Sequence, residues 1–300
     1  MFKDSGEGPM DDERRLARLD EELAKIMHAQ NQTPDPEMGG LAAEQVYRLV
    51  YSEWDSVRSP LQLRRDLALE DYEASPFFLA TRKFLLAILE GGGVKTTATG
   101  NLPRKFVAEM MDVFLDAEYK EDVLRVNKVV NETDVFPLHI SRIVCGVSGL
   151  IGKSKGRFVV RKKCQKLLAP ERAGELFSAL FITYFRKFNL SFADGMPCEG
   201  VSLQSNIAYS LQRIQAIAND WQPIEGVGES ILLPKVSDDI EQEIVDRPYL
   251  TISRIVELRI LSHLHRWGLL ELNYEQGKYV EELQSFRKTP LFDRVVGFSF

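Results

Sequence analysis

Ile143-Val144-Cys145-Gly146-Val147-Ser148-Gly149-Leu150-Ile151 ends an apolar helical stretch on glycine and runs at once into Lys153–Arg161, a segment suited to a short β-ribbon. The arrangement recurs in Ile260-Leu261-Ser262-His263-Leu264-His265-Arg266-Trp267-Gly268-Leu269-Leu270, followed by a turn and Gly277-Lys278-Tyr279-Val280. In the first copy Ile140, Ile143, Val144, Val147, Leu150 and Ile151 repeat at the three-and-four spacing of one helix face. Glycine stops such a helix because the residue after its end takes a positive φ, which costs least without a Cβ. A helix ended this way and followed by two strands is a supersecondary unit, and the chain contains the signal twice.

Working outward from the first copy, Ser75-Pro76 marks a helix start, with Ser as cap and Pro in the first turn. Phe77, Phe84, Leu85, Ile88 and Leu89 give that helix an apolar face, and Gly91-Gly92-Gly93 ends it. Val94–Thr99 is β-prone, and Pro103 opens a further helix with Phe106, Val107, Met110 and Phe114 on one side. Around the second copy, helices are expected near 203–219, 238–246 and 251–267, with a ribbon over 269–282. Three helices followed by a ribbon resemble the winged-helix superfamily in both places. The resemblance implies a mainly α fold with tandem winged-helix-like modules and short β-hairpins.

Between the copies, Pro170 begins a helix carrying Leu176, Phe177, Leu180, Phe181, Tyr184, Phe185 and Phe188. Side chains at that spacing belong to a core that joins the two halves. Asn189–Glu199 reads as a boundary loop. The expected division is a charged helix and linker over 1–40, a first domain over 41–190 and a second over 191–300. Within the first part, Leu16, Leu19, Leu23 and Ile26 make a narrow apolar stripe on helix 11–29. That stripe either packs on the body of the protein or serves as a dimerisation or partner helix.

Composition excludes several functions. The 300 residues are 44% hydrophobic and 27% charged, enough apolar content for a sizeable core. A net charge of −6 argues against nucleic-acid binding by the whole surface and leaves room only for a local basic patch. No apolar run approaches the roughly 20 residues that span a bilayer, and Met1–Glu7 has no apolar signal region, so no membrane association and a cytoplasmic location are expected. Cys145, Cys164 and Cys198 are odd in number and widely spaced, which implies neither a disulfide framework nor a metal pair. Cys145 reads as core. His28, His139, His263 and His265 are scattered and read as surface side chains. His263 and His265 are two apart, on different helix faces, whereas a zinc pair needs a spacing of four. Val147–Ser154 approximates a phosphate loop, but Val147 stands in place of the first glycine and the helix precedes the strand. No catalytic, cofactor or metal-binding residue is assigned, and an enzyme is not the favoured reading.

Thr97-Ala98-Thr99-Gly100-Asn101-Leu102-Pro103-Arg104-Lys105 and the closing Arg287-Lys288-Thr289-Pro290-Leu291-Phe292-Asp293 resemble segments of uncharacterised bacterial proteins. Some of those carry plasmid-type or SEC-C metal-binding neighbours. The resemblance implies a bacterial origin and a shared fold and carries no activity with it. The Cys/His cluster of the SEC-C module is absent here, so no metal function follows.

The densest charge lies in the first ribbon and beyond it: Lys153, Lys155, Arg157, Arg161, Lys162, Lys163 and Lys166, with no acidic residue between Ile151 and Ala169. Lysines and arginines at a ribbon tip suit a phosphate backbone, since each contact releases condensed counterions. Lys95, Arg104 and Lys105 could join them. The preceding helix is expected to expose Ser141, Arg142, Cys145 and Ser148, a set with one strong base reader. The expected function is a non-enzymatic interaction protein that contacts DNA, another polyanion or an acidic protein through residues 153–166. The alternative is a protein-binding scaffold acting through helix 11–29 or through the acidic second ribbon, Tyr274–Glu282. The sequence does not encode a legible oligomeric state.

Overall fold

The computed structural model describes residues 9–193, 201–247, 249–277 and 281–300. Helix α1 (Pro9–Asn31) leads to a small ladder of β1 (Pro34–Asp35) with β2 (Leu41–Ala42), then α2 (Ala43–Tyr51) and β3 (Leu61–Leu63). A first run follows: α3 (Pro76–Glu90), β4 (Val94–Lys95), α4 (Arg104–Phe114), α5 (Ala117–Val126), α6 (Phe136–Val147), β5 (Ile151–Ser154) and β6 (Arg157–Val160). After α7 (Ala173–Arg186) and α8 (Val201–Ser205) comes a second run. It comprises α9 (Ile207–Ile217), β7 (Gln222–Pro223), α10 (Val227–Ile231), α11 (Pro234–Ile244), α12 (Ile252–Val256), α13 (Ser262–Arg266), β8 (Leu270–Gln276) and β9 (Glu281–Lys288). Last are α14 (Pro290–Val295) and β10 (Val296–Phe298).

The fold is mainly α with short antiparallel strand pairs, and its two runs correspond in order. Each has a helix, one short strand, two helices, an apolar helix and a hairpin. The early strand pairs with the last one in both, giving sheet orders β4-β6-β5 and β7-β9-β8. Residues 221–235, which fall between the helices expected near 203–219 and 238–246, contain β7 and α10. A two-residue strand is too short to show alternation, so its partner defines it. The second ribbon also extends to Lys288, further than its sequence pattern suggests. Lys278, Tyr279 and Val280, at its expected tip, lie outside the described residues, as does most of the boundary loop before Gly200.

The core is one continuous cluster reaching from Leu41 to Val296. Helix α7 is its axis. Phe177, Phe181, Tyr184 and Phe185 each lie within 6.2 Å, centroid to centroid, of the fully buried Trp267 from the second run. Phe77 of α3 approaches the same indole at 5.3 Å. Ser75 does not cap α3. Its Oγ donates instead to the Trp267 carbonyl at 2.7 Å, stitching one run to the other. His263 is buried rather than exposed, and its Nδ1 accepts from the Tyr184 hydroxyl at 2.6 Å. Burial lowers its pKa to about 3, with Arg266 and Arg259 adding to the effect. The apolar helix of the second run also contains a π turn over Glu257–Leu261. Strand β10 returns to pair with β3, Phe298 opposite Leu61.

Helix α1 departs from the reading that packed it on the body. Leu16, Leu19, Leu23, Ile26 and Met27 are all about half exposed or more, from 48% to 61%.

Candidate polyanion interface

The hairpin after α6 forms because Gly149, at φ 73°, ends the helix and Ile151, Phe158 and Val160 bury one face of a two-stranded ribbon. Its register sets Lys153 opposite Phe158 and Ser154 opposite Arg157, leaving Lys155-Gly156 as a two-residue turn. Both turn residues have positive φ, 48° and 71°, as the turn that matches strand twist requires. Lysine is an uncommon choice there, because a Cβ crowds the left-handed region. Beyond the ribbon, a 3-10 turn over Lys162–Leu168 buries Cys164 and Leu168 and turns Lys162, Lys163 and Lys166 to solvent.

The segment 97–105 packs beside this ribbon. The Thr96 N–H donates to the Gly156 carbonyl at 2.9 Å, and the Gly100 N–H to the Thr97 carbonyl at 2.9 Å, closing a tight turn. Lys153 Nζ sits 2.9 Å from the point where a Cβ on Gly100 would fall, so glycine leaves room for that cation. The Leu102 N–H donates to Glu132 Oε2 at 2.6 Å.

Glu132 anchors the surface from beneath. It is 1% exposed, and its Oε1 accepts from His139 Nδ1 at 2.7 Å and from Arg142 Nε. Burial by itself would raise the carboxyl pKa. The bonds from His139, the Leu102 amide and Arg142, with the charge of Arg142, outweigh it and hold the group below the usual carboxylate range. Arg142 then lies over the Phe158 ring at 5.5 Å, and Lys153 over the same ring at 5.4 Å. One buried acid thus ties together the 97–105 turn, helix α6 and the ribbon. Sequence gave no sign of it, because Glu132 falls in a polar stretch that reads as a loop.

Lys153, Lys155, Arg161, Lys162, Lys163 and Lys166 are exposed, as are Lys95, Arg104 and Lys105. Among the described residues, none of these forms an ion pair with a carboxylate. Arg104 Nε donates to the Asn131 side-chain oxygen at 3.0 Å, beside the segment that Glu132 holds. Arg157 differs from the rest. It is partly buried, and its guanidinium donates to the carbonyls of Gly93 and Gly91, fastening the ribbon to the end of α3.

The helix before the ribbon is more covered than its sequence suggests. Ser141 and Cys145 are fully buried, Ser141 donating to Thr81 Oγ1 at 2.9 Å and the Cys145 thiol pushed up by burial. They project between α6 and its neighbours, since α3, α4 and α7 pack on it from different sides. The exposed positions of α6 are Gly146 and Val147. His139, expected at the surface, is the buried partner of Glu132.

A separate cleft of about 540 Å³ opens between the two runs, lined by Phe77, Phe114, Pro137, His265 and Arg266 among others. The fold engages its polar groups: His265 Nδ1 donates to the Leu270 carbonyl at 2.8 Å and Arg266 covers the Phe136 ring. Among the described residues, no helix is long and apolar enough to cross a membrane.

No curated protein and no solved structure matches the chain. Residues 73–174, which include every cation of the basic surface, match the Y4jL N-terminal domain, an uncharacterised family.

Proposed function

We propose that the β5–β6 ribbon and the turn after it act as a wing that grips the phosphate backbone of duplex DNA, in a protein built from two winged-helix-like units. The element order and the sheet orders of the two runs support the second part of this reading. The observation that carries the first part is the set Lys153, Lys155, Arg161, Lys162, Lys163 and Lys166: exposed, neighbouring in sequence and free of carboxylate partners among the described residues. The chain as a whole has a net charge of −6, so its negative charge lies elsewhere. Lys95, Arg104 and Lys105 extend the surface from the adjacent strand and helix. Arg157 supports the ribbon from within and is not counted as a contact.

Burial of α6 shapes the specificity. A helix whose exposed residues are Gly146 and Val147 offers no bidentate donor pair to base edges. The contact is therefore with backbone and independent of sequence. A cytoplasmic protein of bacterial origin, as the resemblance of segment 97–105 implies, would meet such a duplex in a chromosome or plasmid.

Binding of a short duplex, followed by fluorescence anisotropy across a salt series, tests the proposal. About four phosphate contacts give a log–log slope near −3.6, from roughly −0.9 per contact. Changing Arg161, Lys162 and Lys163 to Glu removes binding at about 50 mM salt and leaves the melting temperature unchanged. A salt-insensitive affinity, or a triple variant that binds as before, rules the wing out.

A further inference from the structure

We infer that α1 is a self-association helix and that two copies of this chain pair through it, parallel and in register. The first observation is its unpartnered apolar face. Leu16, Leu19, Leu23 and Ile26 are spaced three, four and three apart, the a and d positions of two heptads, and all are about half exposed or more. Met27, in the flanking e position, is 60% exposed and widens the same face. Five large apolar side chains on one face of a 23-residue helix are otherwise left in water, and a surface of that kind marks a contact.

The second observation is charge, and it selects the occupant. With Leu16 and Leu23 at a, Arg15 takes a g position and Asp20 the following e position. In a parallel pair, g of one helix faces the next e of the other. Arg15 of each copy then meets Asp20 of its mate, and the attraction occurs twice by symmetry. Glu22, the next g, faces Met27 and meets no like charge. An antiparallel pair that buries the same four residues sets Asp20 against Asp20 and Glu22 against Glu22, two like-charge contacts. A second copy in parallel therefore satisfies both the seam and its flanks.

Two heptads bury less than the about 1,000 Å² expected of a stable complex, so the pairing depends on concentration. It is independent of the wing: α1 lies outside the segment 73–174 and shares no residue with the basic surface. Its consequence for that surface is valency. A dimer carries two wings, and a second wing binding the same polyanion does so at raised effective concentration.

Sedimentation equilibrium of the full chain tests the inference. Between about 5 and about 200 µM, a range that brackets a weak dimer, the mass rises from 34.2 kDa towards twice that value. The Leu19→Glu/Leu23→Glu variant stays monomeric throughout, with an unchanged far-ultraviolet spectrum, because these side chains do not enter the core. Arg15→Asp weakens the dimer, and adding Asp20→Arg restores it. Under mild oxidation, Leu19→Cys gives a 19–19 cross-link that the parent chain lacks. A parent chain that remains monomeric at every concentration overturns the inference, as does a dimer that survives the double Glu substitution. A dimer without the 19–19 cross-link overturns the parallel register.

Discussion

Glu132 does more for the basic surface than any of the cations that form it. It holds the Leu102 amide, His139 and Arg142 at one point, 1% exposed. Removing one partner from a buried charged cluster leaves the others desolvated and uncompensated, which is costlier than the loss of the bond itself. Glu132→Gln is therefore expected to lower stability by about 3 kcal/mol, read as a shift in the urea midpoint near neutral pH. The effect has a definite pH dependence. Because the folded carboxyl pKa lies below its unfolded value, the folded state binds fewer protons than the unfolded chain as acid is added. The stabilisation is complete above the ordinary glutamate pKa of about 4.3 and is lost as pH falls through the lower folded value. Parent and variant should thus converge in stability on acidification, and a gap that stays constant with pH would show that Glu132 acts through shape alone.

At the scale of the element, the ribbon β5–β6 trades comfort for charge. Its turn needs two residues at positive φ, and Asn-Gly serves that geometry better than Lys155-Gly156. Lys155→Asn should raise stability by about 0.5 kcal/mol through relief of the left-handed strain and should reduce the salt slope of duplex binding by about 0.9, one contact's share. Thermal melts and the anisotropy series measure the two changes on the same protein. If stability rises and the slope does not move, Lys155 lies outside the contact. The ribbon was legible in sequence because Gly149 and the Ile151–Val160 pattern act locally. The covering of α6 was not. Its Ser141 looks like a polar edge on a helical wheel, yet packing from α3, α4 and α7 leaves that edge no solvent.

Across the whole molecule, the two runs behave as one packing unit. Gly268 ends the apolar helix of the second run at φ 75°, and a Cβ there would fall 1.7 Å from the Ala74 carbonyl oxygen, at the entrance to α3. Neither backbone has space to yield without parting the Ser75–Trp267 contact beside it. Gly268→Ala should cost roughly 3 kcal/mol or more, from overpacking joined to the strained φ. Because the core cluster is continuous, tryptophan fluorescence and far-ultraviolet dichroism should still report one coincident transition in urea. Two separated transitions in the parent chain would instead mark the two runs as independent domains.

The sequence by itself determined what depends on near neighbours along the chain. It defined the apolar helical repeats, the glycines that end them, the two ribbons, and a basic stretch with no acid inside it, since each of these follows from local spacing and backbone chemistry. Tertiary structure alone decided the pairing of β7 and β10 with distant strands, the burial of His263 and Ser75 at the seam between the runs, and the withdrawal of Arg157 into a structural role. It also decided the exposure of the α1 stripe and the assembly of Glu132 with Leu102, His139 and Arg142. Those outcomes rest on which surfaces remain once a shared aromatic core around Trp267 has formed, and no pattern of adjacent residues records what packing will leave uncovered.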